Sequence, residues 1–127
     1  MKNHLVRTYA SKEKLAKEDQ LAWKLAAVAL DKSEIKKEAT EMIKNRIIDN
    51  AAVAIAAINR EPVANARTQA LAHPRKNGAT LWGISEKETF DAEWAAWANG
   101  VAVRELDMHD TFLAADYSHP ADNIPAV

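Results

Sequence analysis

The chain has 127 residues, 17 Lys and Arg against 18 Asp and Glu, and no cysteine. That length holds one domain at most. A net charge of −1 argues against a non-specific nucleic-acid binder, which needs a basic excess. The missing thiols exclude a disulfide scaffold, a thiolate zinc site and a cysteine-held iron–sulfur cluster within these residues.

The apolar content is lopsided: 26 Ala stand beside 26 residues of Leu, Ile, Val and Phe together. Alanine favours helices that approach closely, and its burial contributes little per residue. The expected core is thin, as in a chain that forms part of something larger. Met1 to Arg7 carries charge with no apolar stretch behind it, because Ser11 to Lys17 holds four charged residues. No signal peptide is expected. The longest weakly polar run, Ala51 to Ile58, has eight residues, far below the ~20 of a membrane span. The expected compartment is the cytoplasm, with no membrane partner.

The first predicted helix covers Ser11 to Leu30, where Leu15, Leu21, Leu25, Val28 and Ala29 fall close to helical spacing. Ser11 is its candidate cap, and Lys17 to Asp19 reads as an irregular turn at its entry. The lysines along this helix and the next (Lys12, Lys14, Lys24, Lys36 and Lys44 among them) read as a solvated face. The second helix is the strongest pattern. From Glu34 to Asn59, apolar residues step by three and four, with Ser33 as candidate cap and Glu61-Pro62 beyond the end. Its second half, Ala51 to Ile58, is apolar all round, which predicts burial on every side and neighbours that this chain is too short to supply. Asp49 and Asn50 inside it read as a hydrogen-bonded core pair.

Pro62 suits the first turn of a third helix running to Ala72. His73 to Gly78 is the clearest break, with His73 a turn residue and Asn77-Gly78 as punctuation. Thr80 to Gly83 is the expected site of one short β piece. Ser85 and Glu88 have capping-box spacing, but Glu93 to Leu106 is the better helix body. Ala96 and Gly100 lie four apart on it, which suits a close crossing. Trp82, Trp94 and Trp97 read as core or interface aromatics. The predicted fold class is mainly α, an incomplete helical domain over residues 1–127 with at most one short β piece near residues 80–83.

Chemistry concentrates at the end. Residues 107–127 hold no Lys or Arg but four aspartates (Asp107, Asp110, Asp116, Asp122) and two histidines, His109 and His119. The local charge is −4, against +3 for residues 1–106. Phe112, Leu113 and Tyr117 interleave with these groups, as in a loop held against a core. Three readings fit: a divalent-cation site, although no zinc or EF-hand spacing is present; caps and turns built on Asp107, Asp122 and His119-Pro120; or an acid–base site in which an Asp and a His converge on a small polar substrate.

Asp107-Met108-His109-Asp110-Thr111, followed after seven residues by His119-Pro120, resembles the Asp-x-x-Asp-Thr…His-Pro segment of the MmgE/PrpD family of lyases. Arg46 to Ala51 resembles that family's early core helix, and Glu93 to Gly100 the helix leading into its active-site loop. The resemblance implies an all-helical domain of which this chain is the N-terminal part, with the lid domain and the rest of the helical domain absent. It implies a cytoplasmic homodimer acting on a small tricarboxylate without a cofactor or a metal. Asp107 and His119 would be catalytic and Thr111 substrate-binding; a further His and the Lys residues of the site would lie downstream. The Phe112 to Tyr117 filler is that of the dehydratase branch, which removes water from 2-methylcitrate in propionate catabolism. A cis-aconitate decarboxylase of the same family is the alternative. From a different class, so is a non-enzymatic helical interaction module whose acidic loop binds a divalent cation.

Overall fold

A computed structural model describes residues 4–127. Met1 to Asn3, part of the stretch read for a signal peptide, lie outside the described residues. The protein is mainly α and divides into two compact units, residues 1–36 and 37–127.

The first unit buries none of its described side chains. Helix formation begins later than the apolar spacing predicts. Lys17–Asp19 is a separate 3₁₀ turn, and α1 spans only Leu21–Ala29. Ser11 caps nothing; the residue before α1 is Gln20, whose side chain makes no capping bond. Polar contacts order the approach instead. Arg7 pairs with Glu13 and lies 3.8 Å over the Tyr9 ring. Lys24 donates to the Leu5 carbonyl at 3.2 Å.

In the second unit, α2 spans Lys37–Ala56, α3 Glu61–Leu71 and α4 Ala92–Arg104. Alpha2 stops short of Asn59 because the chain tightens there: Ile58 N–H bonds the Ile55 carbonyl, and Arg60 N–H the Ala57 carbonyl. Arg60 is then extended, and Pro62 sits in the first turn of α3 with its fixed φ and no N–H to satisfy. Alpha4 starts behind Asp91, whose carboxylate accepts from Glu93 N–H at 3.3 Å. Ser85 closes only a local turn.

Among the described residues the one β strand lies earlier than expected, at Pro74–Ala79, on residues that read as a break. It runs beside Thr89 to Asp91. Arg75 N–H bonds the Thr89 carbonyl and Asp91 N–H the His73 carbonyl, each at 2.9 Å. Gly78 makes this approach possible: a Cβ there would stand 2.0 Å from the Phe90 carbonyl oxygen. Residues 80–83 form a turn clamped by Asn99, which accepts from Trp82 N–H and donates to the Thr80 carbonyl, both at 3.1 Å.

The core is as thin as the composition implies. Alpha4 packs against α3 and α2. One cluster joins Ala66, Ala70, Leu81, Phe90, Ala95 and Ala98; another joins Ala54, Ala57, Val63, Ala102 and Val103. Only one side of the second half of α2 is buried. Val53, Ala54 and Ala57 face inward, while Ala52, Ile55 and Ala56 are exposed, because α4 and the terminal 3₁₀ helix are its neighbours within this unit. Asn50 is wholly buried, yet neither amide atom has a partner among the described residues. It forms no hydrogen-bonded pair with Asp49. His73 is the turn residue expected, donating from Nδ1 to the Gln69 carbonyl and stacking on Trp94. No helix among the described residues is long and apolar enough to cross a membrane.

Candidate functional site

The site is built where α4 ends. The Arg104 carbonyl accepts from Asp107 N–H at 3.1 Å, and Asp107 adopts a left-handed φ of 50°. Asp and Asn tolerate that region better than most side chains. The turn presents the Asp107 carboxylate to Arg104 Nη1 at 3.3 Å and to His119 Nε2 at 3.8 Å.

Residues 107–119 then fold back on themselves. Phe112 and Ser118 exchange backbone hydrogen bonds of 2.8 and 3.1 Å, which closes a short antiparallel loop. Pro120 opens a 3₁₀ helix, Pro120–Ala126, that packs on α4 and α2. Asp110 fastens this arrangement. Its side chain is nearly buried; Oδ1 accepts from Ala121 N–H at 3.1 Å, and Oδ2 lies 3.8 Å from Arg46 Nε of α2. Its carbonyl accepts from His119 Nδ1 at 2.6 Å. A carbonyl oxygen only accepts, so Nδ1 carries the ring proton. In the neutral imidazole, Nε2 is therefore the free lone pair. That nitrogen faces Asp107.

His109 lies behind His119. Its side chain is fully buried, its ring lies 4.6 Å from that of His119 at an interplanar angle of 30°, and its Nε2 is 2.7 Å from Asp122 Oδ1. A carboxylate accepts, so this Nε2 donates. It cannot also accept from Arg104 Nη1, 3.4 Å away; the shorter contact to the carboxylate is the hydrogen bond. Arg104 instead acts as a shared cation, 3.3 Å from Asp107 and 3.8 Å from Asp122.

Thr111 does not join the Asp107–His119 pair by any hydrogen bond. It lines an adjoining groove of about 320 Å³ with Arg46, Asp110, Phe112 and Ile124. Donor atoms of Asp107, His109 and His119 lie within 4.8 Å of one another, a spacing compatible with a metal ion. The Arg104 guanidinium lies beside the same group, 3.3 Å from Asp107.

With this geometry in view, a family comparison decides the identity. The model of the MmgE/PrpD N-terminal domain matches residues 19–127. The chain belongs to the MmgE/PrpD family. No solved structure matches it. As an MmgE/PrpD chain it falls among hydro-lyase-like proteins, and the Asp107-to-His119 motif lies wholly inside the matched region. What sequence reasoning missed is the second layer. The resemblance places the Lys residues of the site downstream; what it does not indicate is that Arg46 of α2 and Arg104 of α4 pair with the aspartates of this segment. Arg104 carried a faint signal, three residues before Asp107. Arg46 opens a segment that resembles the family's early core helix, but nothing ties it to Asp110, 64 positions away in sequence.

Proposed function

We propose that the Asp107–His119 pair is the proton-transfer centre of a dehydratase that removes water from a small tricarboxylate, 2-methylcitrate in the first instance. The observation that carries this reading is the anchored His119 ring, with Nδ1–H on the Asp110 carbonyl and Nε2 free beside Asp107. Dehydration needs a base for a weakly acidic C–H and an acid for the departing hydroxyl. His119 Nε2 is the base, and the imidazolium it becomes returns that proton to the departing hydroxyl, which leaves as water while the C–H electron pair forms the double bond. Asp107, 3.8 Å away, stabilises the imidazolium that forms and holds its orientation. Thr111 donates from its hydroxyl to a substrate carboxylate, with Arg46 lining the same groove.

A substrate with three carboxylates needs more positive charge than this region offers. Arg104 and Arg46 already lie beside Asp107, Asp122 and Asp110. Preorganised charge stabilisation commonly supplies the largest share of an enzyme's acceleration. We therefore assign the remaining cations to sequence beyond these 127 residues, and expect the chain taken alone to be inactive. The exposed Met42, Ile43, Ile48 and Ile55 of α2 favour association into a homodimer.

The test is turnover of 2-methylcitrate by the complete enzyme containing this segment, with 2-methyl-cis-aconitate as the product measured. Release of CO₂ from cis-aconitate, without dehydration, would transfer the site to decarboxylase chemistry. Turnover by residues 1–127 alone would overturn the assignment of the missing cations.

A further inference from the structure

His109 has no part in the proton transfer just described, yet it is the most completely buried titratable side chain beside it. Its Nδ1 has no hydrogen-bond partner among the described residues. An apolar side chain would fill the same space without leaving a buried nitrogen unmet. What the imidazole supplies is a flat face against His119 and an Nε2–H that fixes the angle of that face through Asp122.

We infer that His109 is a positioning residue for His119, a buried platform that sets the tilt of the neighbouring imidazole. The inference rests on the role proposed above for His119. The Asp110 carbonyl holds the His119 ring at one atom, Nδ1. With Cγ bonded to Cβ and Nδ1 held by a single hydrogen bond, the ring can still swing about χ1 and χ2 as far as that bond allows. The His109 face, 4.6 Å away, blocks that swing on one side and leaves Nε2 aimed at Asp107. His109 is held in turn at Nε2 by Asp122, which sits in the first turn of the 3₁₀ helix with Arg104 3.8 Å from its other oxygen. Each layer fixes the one in front of it. Proton transfer is sensitive to such placement, since a shift of about 1 Å costs on the order of 100-fold in rate.

Two variants of the complete enzyme separate this role from simple core filling. His109→Ala removes the platform; His109→Phe keeps a ring of similar size and loses only the bond to Asp122. Turnover and KM are measured for 2-methylcitrate, and the tautomer of His119 is read from its imidazole nitrogen shifts by NMR. For His109→Ala we expect kcat to fall roughly 10- to 100-fold, KM to change little, and the Nδ1–H signature of His119 to give way to mixed tautomers. For His109→Phe we expect that signature to persist and most of kcat to return. Unchanged nitrogen shifts in His109→Ala would overturn the inference, as would equal losses in two folded variants. If the enzyme does not dehydrate 2-methylcitrate at all, the functional proposal fails, and the nitrogen shifts still decide whether His109 positions His119.

Discussion

The α3–α4 scaffold and residues 107–127 are held together by different physics. Alpha3 and α4 meet through alanines, with Ala66, Ala70, Ala95, Ala98 and Ala102 all buried, and their contact is a sum of many small dispersion and burial terms. The terminal segment buries little apart from His109, Asp110 and Ala121. Its shape depends on a few polar bonds: Asp110 to the Ala121 N–H, His119 to the Asp110 carbonyl, and His109 to Asp122. A surface made of many weak contacts yields gradually to substitution. A segment held by three or four directed bonds fails when one is removed. The candidate chemistry sits on the second kind of structure, resting on the first.

The largest expected effect leaves that contrast intact and tests only chemistry. In the complete enzyme, Asp107→Asn and His119→Gln should each lower turnover by ~10²–10⁴-fold, the range for a lost acid–base group. Helical content by circular dichroism should not change, because Asn also tolerates the left-handed φ at position 107. Asp110→Ala would break the terminal segment itself. It strips the Ala121 N–H of its acceptor and Arg46 of its partner, and should cost roughly 3 kcal/mol, the upper end for an unsatisfied buried donor. Asp110→Asn keeps the acceptor oxygen and should recover most of that loss in a denaturant melt. A scaffold change that rivals it would blur the comparison, and Gly78→Ala is the sharpest available. The added Cβ would stand 2.0 Å from the Phe90 carbonyl oxygen, so the strand must separate from Thr89–Asp91, at about 2 kcal/mol by the scale of overpacking. A thermal melt unchanged by Gly78→Ala would show that this pairing contributes little.

The scaffold was the legible part. Apolar spacing locates α2, α3 and α4 to within a few residues, because amphipathic period is a local property of the chain. It does not say which neighbours are available, so Ile55 and Ala56 read as buried and are exposed. The β piece at Pro74–Ala79 was hidden by Pro and Asn-Gly, which punctuate a chain whether or not a distant segment pairs with it. In the terminal segment, Asp107 and His119 stand out by composition and by family resemblance and Thr111 by the resemblance alone; the structure brings Asp107 and His119 together and sets Thr111 in the adjoining groove. The partners that orient them were not legible. Arg46 reaches Asp110 from another helix, and the stacking of His109 on His119 depends on how the loop closes through Phe112 and Ser118.

The smallest effect bears on how tightly the two regions meet. Ala96 and Gly100 read as a small-residue surface that suits a close helix crossing, yet the neighbour at Gly100 is the 3₁₀ helix, not another α-helix. A Cβ on Gly100 would lie 4.0 Å from the Cβ of Pro125, an ordinary van der Waals contact. Gly100 sits inside α4 and does not have a positive φ, so no backbone strain requires glycine there. Gly100→Ala should therefore stabilise the chain by about 0.5–1 kcal/mol, through the lower entropy of its unfolded state and better helix propensity. The gain would appear as a small rise in Tm of the complete enzyme, with its turnover unchanged. A loss of stability would mean that the terminal segment presses on α4 more closely than 4.0 Å allows. The segment would then depend on apolar packing as well as on its polar bonds.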